Sequence, residues 1–101
     1  MIVYNVTINV HDDVQEEYVK WMKEIHLPQV MATGMFLNYS MYQLLTRQED
    51  EDGTTFCIQY QCASMENYER YAAEFAPALK EETNQKFPGK FYAFRSIMEA
   101  I

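Results

Sequence analysis

The sequence predicts an α+β fold with the element order β-α-β-β-α-β, in which a four-stranded antiparallel sheet carries two helices on one face. Two observations predict it. Four segments have the alternating or β-rich pattern of half-buried strands, namely residues 2–10, 35–47, 54–62 and 90–98. Residues 14–25 and 65–79 repeat apolar side chains at helical spacing. Two right-handed βαβ halves put both helices on the same sheet face, so the order predicts a ferredoxin-like sandwich. The 101 residues fit one domain, residues 1–101.

The first half contains a strand and a helix that a proline interrupts. Residues 2–10 place five apolar side chains on one face and uncharged side chains on the other. Asp12 or Asp13 is expected to cap the following helix. Pro28 then either kinks that helix or ends it and restarts it as a first helical residue. Gly34 is expected to end the last turn.

The second half repeats this plan. The strand 35–47 is followed by an acidic loop at 48–53, which ends at Gly53, and by the strand 54–62. Ser64 is a predicted N-cap for the second helix, which Pro77 interrupts as Pro28 interrupts the first. The last strand follows a turn at 87–89.

Composition and charge exclude several classes of protein. The chain has 8 Lys and Arg against 15 Asp and Glu, a net charge of −7, so a nucleic-acid partner is not expected. It has no apolar run long enough to span a membrane, and its start lacks the basic region of a signal peptide. Cys57 and Cys62 are five residues apart on one strand, so they face opposite ways and are poorly placed to form a disulfide. A cytoplasmic protein is the prediction.

The sheet face that the helices leave open has an unusual composition. The first and third strands place only uncharged side chains there: Asn5, Thr7, Asn9, Thr55, Cys57, Gln59 and Gln61. A water-facing strand normally carries Lys, Glu or Arg, so this face fits burial against a second copy of the chain in an isologous homodimer. The alternative is an ordinary exposed face in a monomer.

Several separated blocks of the sequence carry a family resemblance. They are IVYNVT at 2–7, WMKEIHLP at 21–28, ATGMF at 32–36, EFAPAL at 74–79 and FYAFR at 91–95. Together they resemble a small bacterial family, domain of unknown function 4286, over essentially the whole chain. The resemblance implies a ferredoxin-like fold of the dimeric α/β-barrel type. That superfamily includes small monooxygenases, isomerases and dye- and haem-handling proteins, so the resemblance implies no particular reaction.

His26 is the candidate catalytic residue. It follows Tyr18 and Met22 at helical spacing, so its side chain is expected to point inward beside the turn that Pro28 disturbs. The His26-Leu27-Pro28 segment is also similar to a motif of some enzymatic relatives, in which the histidine faces a pocket. A partly buried imidazole with a pKa near neutrality would suit proton transfer. The alternative is a structural histidine bonded to a carbonyl or a tyrosine.

Five other residues are candidates for ligand binding. Arg95 is the one cation in the interior of the last strand and could hold an anionic group, or it could pair with a glutamate at the sheet edge or dimer seam. The other four are Asn5, Trp21, Tyr42 and Tyr60, which could orient a substrate or line an aromatic pocket. Aromatic residues also fill the core of a small domain, which is the competing interpretation.

No cofactor and no metal site are predicted, because no strong ligand spacing and no phosphate-binding glycine loop are present. Three functions remain open. The chain binds a small, largely apolar molecule between sheet and helices; or it is a cofactor-independent isomerase or monooxygenase-like enzyme with His26 as general base; or it is a purely structural interaction protein.

Overall fold

The computed structural model describes residues 1–46 and 51–101, and it contains the predicted four-stranded antiparallel sheet. The strands are β1 (Ile2–Val10), β2 (Asn38–Gln43), β3 (Thr54–Cys62) and β4 (Phe91–Glu99). Their order in the sheet is β2-β3-β1-β4, so the two central strands are the first and the third. In register, Val6 of β1 lies opposite Ile58 of β3 and Arg95 of β4. The ferredoxin-like fold is confirmed.

Strand β2 is shorter than predicted, six residues instead of thirteen. Its flanks still bond to β3, since the backbone N–H of Leu37 donates to Gln61 and that of Leu44 donates to Thr55, each at 2.8 Å. Phe36 belongs to the predicted strand but lies before β2, and its side chain is buried in the core, where it is 5% exposed. Arg47, predicted as the strand's end, and residues 48–50 of the acidic loop lie outside the described residues.

The helices form one layer on the sheet. A short 3₁₀ turn at Asp12–Val14 leads into α1 (Gln15–Trp21), a π-helical turn (Met22–His26) and α2 (Leu27–Ala32), and the second half contains α3 (Met65–Glu74) and α4 (Ala76–Lys86). None of the helices in the described part of the chain is long and apolar enough to cross a membrane. The layer leaves the opposite face of the sheet uncovered.

The predicted cap at Asp12 or Asp13 is wrong. Neither carboxylate accepts a capping bond from the helix. Asp12 accepts a hydrogen bond from the Thr54 hydroxyl at 3.1 Å, and Asp13 pairs with Lys90 at 2.7 Å, so both side chains tie the turn to the strands instead. Ser64 does cap α3, accepting from the N–H of Asn67 at 3.2 Å.

At Pro28 the helix does not end and restart, so that alternative is wrong. The helix neither stops nor breaks; it widens into the π-helical turn, in which the N–H of Leu27 donates to the carbonyl of Met22 five residues earlier. Pro28 is the second residue of α2, directly after the widened turn, and it has no N–H to donate to a carbonyl of that turn. Pro77 likewise is the second residue of α4, directly after α3 ends at Glu74.

The core lies between the helices and the covered face of the sheet and is rich in aromatic rings. Tyr4 of β1 is at its centre, with its ring centroid 5.2 Å from that of Tyr68 and 5.7 Å from that of Tyr60. Cys62 is buried on this face, whereas Cys57 lies on the opposite face beside Thr7. Both cysteines are free thiols that face opposite ways, as predicted.

Candidate functional site

A cavity of about 180 Å³ lies between the covered face of the sheet and the helices. Its walls come from β1, β3 and β4 below and from the helices above. Sixteen residues line it: Tyr4, Val6, Ile8, Tyr18, Met22, His26, Ile58, Tyr60, Tyr71, Leu79, Lys80, Thr83, Asn84, Phe91, Ala93 and Arg95. The deep wall is apolar and aromatic, and the polar side chains that are exposed to solvent come from α4 and β4. The site is therefore a pocket with an apolar floor and a polar mouth.

His26 is the last residue of the π-helical turn, and its ring lines the cavity. Trp21 covers the imidazole from one side, with ring centroids 5.1 Å apart and planes inclined by 26°. The Nδ1 atom is buried and has no hydrogen-bond partner among the described residues. Burial, aided by the nearby charge of Arg95, lowers the pKa of His26 to about 4. The expectation of a pKa near neutrality is thus wrong, and the imidazole is neutral at pH 7.

Four tyrosines surround the rest of the cavity. Tyr4, Tyr18, Tyr60 and Tyr71 are each at most 5% exposed. Burial is the largest cause that raises the pKa of all four phenols. Their hydroxyls therefore stay protonated at neutral pH and can donate hydrogen bonds to a ligand.

Arg95 extends from β4 over this face of the sheet. Its positive charge acts on the whole cavity, because it lowers the pKa of His26 and opposes the effect of burial on the pKa of each of the four tyrosines. No carboxylate of residues 1–46 or 51–101 lies within 4.0 Å of the guanidinium. The predicted alternative, in which Arg95 pairs with a glutamate, is not found in that part of the chain.

Sequence reasoning missed the side of the cavity formed by α4. Lys80, Thr83 and Asn84 line it, and Lys80 and Asn84 are exposed at its mouth. Burial of its stem and the charge of Arg95 lower the pKa of Lys80. The signal was available, because Thr83 follows Leu79 by four residues and Lys80 and Asn84 repeat that spacing one position later.

The structure brings together three of the six candidate residues. His26, Tyr60 and Arg95 all line the cavity. Trp21 stands behind His26 and contacts its ring, but it is not among the lining residues. Asn5 and Tyr42 lie on the open face of the sheet, where Asn5 donates to the Thr7 hydroxyl at 3.0 Å and Tyr42 is exposed. These two cannot contact a ligand held by His26.

Within residues 1–46 and 51–101, the strands place no charged side chain on the open face of the sheet. Its central part consists of short polar residues, as predicted, and β4 adds Tyr92, Phe94 and Met98. Tyr92 is 63% exposed and Phe94 is 60% exposed. Large apolar side chains on an uncharged surface are typical of an interface.

The fold is shared with several solved structures. HapK from Hahella chejuensis is similar with a TM-score of 0.72 and 7% identity, covering 100% of this chain and 93% of its own. SnoaB from Streptomyces nogalater, a cofactor-independent oxygenase, gives a TM-score of 0.60 at 12% identity, covering 99% and 92%. MhuD, solved with two manganese protoporphyrins per active site, gives 0.69 at 17% identity, covering 100% and 95%. At these identities the likeness shows the fold and nothing more.

Comparison of the sequence with protein families gives a match over the whole chain. No curated protein is similar enough to the chain to match it. The family described as Domain of unknown function (DUF4286) matches residues 1–101. The resemblance carried by the separated sequence blocks is confirmed, and this chain belongs to the DUF4286 family.

Proposed function

We propose that the protein binds a small, largely apolar molecule in the cavity between sheet and helices. The observation that carries this proposal is the buried Nδ1 of His26, which has no hydrogen-bond partner in residues 1–46 and 51–101 and lies at the edge of a tyrosine-lined space. A buried polar atom without a partner costs roughly 1–3 kcal/mol, so a ligand that offers a hydrogen bond there recovers part of that cost. The protonated tyrosines add further donors around the same space.

The size of the cavity limits the ligand to about one ring. An apolar cavity of about 150 Å³ accommodates benzene, and this one measures about 180 Å³. A porphyrin has four rings and does not fit, so the haem-type ligand of a structural neighbour is not proposed for this chain. A single-ring molecule with one polar substituent matches both the floor and the mouth.

Phenol is a suitable probe, and heteronuclear NMR of the labelled protein is a suitable measurement. We expect phenol to shift the amide resonances of β1, β4 and the π-helical turn in a saturable manner. Ala93→Leu fills the cavity and should abolish the shifts, whereas Ala78→Leu on the exposed face of α4 is the matched control and should not. If millimolar phenol does not shift the cavity resonances of the wild-type protein, the binding proposal is wrong and the structural-protein hypothesis replaces it.

A second candidate function is a cofactor-independent enzyme with His26 as general base. Two observations favour it: the Nδ1 atom of His26, which lacks a hydrogen-bond partner among the described residues, and the fold shared with an oxygenase of that kind. The low pKa of His26 makes it a weak base in the free protein, so this candidate ranks below binding. Arg95 would have to stabilise the anion that forms as His26 removes a proton.

Proton exchange tests the enzymatic candidate directly. Cyclohexenone in D₂O would lose an α-proton to His26, form an enolate beside Arg95, and take up a deuteron at the same carbon. We expect acceleration by wild type and its loss in His26→Gln, with an unchanged circular dichroism spectrum as proof that the variant is folded. Equal exchange rates with and without protein would remove this candidate.

A homodimer formed through the open sheet face completes the proposal. The face is uncharged and carries exposed aromatic side chains, which supports burial against its own copy. The cavity lies on the other side of the sheet, so dimerisation would leave its mouth on α4 and β4 free. The two separated thiols fit a reducing compartment, and we keep the cytoplasm as the proposed location.

A further inference from the structure

The cavity is positively charged although the protein is negatively charged. Arg95 and Lys80 line it, and none of the other lining residues is Asp or Glu. The chain as a whole has nearly twice as many acidic as basic residues, with a net charge of −7. The charge around this small pocket is therefore opposite in sign to the net charge of the molecule.

Neither cation is neutralised by the part of the protein that the structure describes. Three other basic residues make ion pairs: Arg70 with Glu74 at 3.0 Å, Lys86 with Glu17 at 3.1 Å and Lys90 with Asp13 at 2.7 Å. Within residues 1–46 and 51–101, Arg95 and Lys80 have no carboxylate within 4.0 Å. An unpaired surface lysine is ordinary, but these two come from different elements and meet at the same cavity.

We propose that the ligand is an anion, specifically a single-ring carboxylate whose carboxylate group lies at the mouth between Arg95 and Lys80 and whose ring occupies the tyrosine-lined floor. This inference rests on the proposed binding function and names the ligand class. The guanidinium fork matches the two oxygens of a carboxylate, and the ammonium of Lys80 supplies a second cation from the opposite wall. The apolar floor takes the ring because Ile8, Ile58 and Tyr18 are almost fully buried there.

The electrostatics of the empty cavity agree with this assignment. Partial burial is the largest cause that lowers the pKa of Lys80, and the charge of Arg95 lowers it further because the two cations repel each other. An anion between them would remove that repulsion and replace it with two attractions. The Tyr4 hydroxyl, close enough to Arg95 for the two to interact, can donate to the same oxygens.

Benzoate and benzamide are a suitable pair of probes, because they have the same shape and differ in charge at pH 7. Titration calorimetry should give a dissociation constant for benzoate at least about tenfold lower than that for benzamide. Arg95→Gln should weaken benzoate binding about tenfold and leave benzamide binding nearly unchanged. Lys80→Gln should have the same selective effect at smaller size, and Lys86→Gln, an α4 lysine outside the cavity, is the matched control.

The outcomes separate this inference from the binding function. If benzamide binds as tightly as benzoate, or if Arg95→Gln and Lys80→Gln weaken both probes equally, the carboxylate assignment is overturned while the pocket function stands. If neither probe nor phenol binds, both proposals are overturned. Raising the salt concentration should weaken benzoate binding to wild type, and benzamide binding should not respond.

Discussion

The indole of Trp21 lies stacked on the imidazole of His26, with ring centroids 5.1 Å apart and an interplanar angle of 26°. Phe87 also packs edge-to-face with the indole, with centroids 5.5 Å apart and planes at 80°. Trp21 thus fixes the orientation of the histidine without itself reaching the cavity. It is also the only tryptophan in the chain, so it reports on the protonation of its neighbour.

The first prediction is a fluorescence titration. A charged imidazolium stacked on an indole quenches its emission more than a neutral imidazole does. Trp21 fluorescence should therefore fall as the pH is lowered, with a midpoint near the His26 pKa of about 4. His26→Gln should abolish that step while circular dichroism confirms that the variant is folded. A midpoint near pH 6.5 in wild type would contradict the burial argument.

The second prediction concerns the stability of the fold against pH. The pKa of His26 is about 4 when folded and about 6.5 when unfolded, so between those values the unfolded chain binds more protons. The contribution of the neutral histidine is full above pH 6.5 and is lost as the pH falls towards 4, a loss of about 3 kcal/mol. The free energy of unfolding of wild type should therefore fall more steeply than that of His26→Gln over this window. Parallel curves from urea titrations at each pH would contradict it.

The third prediction concerns Gly53, the last residue before β3. Its φ is +81°, and a Cβ there would lie 2.5 Å from the Oδ1 atom of Asn9 and 2.7 Å from the carbonyl oxygen of Val10. Gly53→Ala should lower the free energy of unfolding by about 3 kcal/mol, through both backbone strain and overlap. Gly34→Ala is the control, because Gly34 has a φ of +76° but open space around it and should cost about 1 kcal/mol. Equal losses in the two variants would show that the close approach is unimportant.

The fourth prediction tests the homodimer. Phe94 is on the open face of β4, and a lysine there would be buried without a partner in a sheet-to-sheet dimer. Phe94→Lys should sediment as a monomer at micromolar concentration while wild type sediments as a dimer. Leu45→Lys is the matched control, since Leu45 is exposed and lies outside the strands. A monomeric wild type would refute the proposed interface.

The fold was largely predictable because its strands obey a strict two-residue period. The limits of β1 and β3 agree with the alternation of apolar and polar residues, and the limits of β4 differ by one residue. Strand β2 was predicted too long because periodicity does not show that the chain bends at Leu37, directly after Phe36, whose side chain packs in the core against Tyr71. The cap at Asp12 failed because a carboxylate can bond to any nearby donor, and Thr54 is brought near it only by the tertiary fold.

The candidate site was partly predictable. His26 and Tyr60 follow from helical and strand spacing, which orient side chains toward or away from the sheet, and Arg95 follows from strand position. The neutral state of His26 did not follow, because it depends on how deeply the packed protein buries the imidazole at the end of the π-helical turn. Burial of a titratable group is a property of the packed protein and not of its neighbours in sequence.

The π-helical turn has a consequence for how the protein can change. A π turn holds one more residue than an α-helical turn, so the segment before it and the segment after it are out of phase by about 100°. Tyr18 and Val30 are both buried because the extra residue brings them onto the same side of the helix. Removing one residue from this turn would keep an unbroken helix but swing His26 out of the cavity, while replacing single residues would not. The placement of His26 in the cavity therefore tolerates single substitutions in this turn but not the deletion of one of its residues.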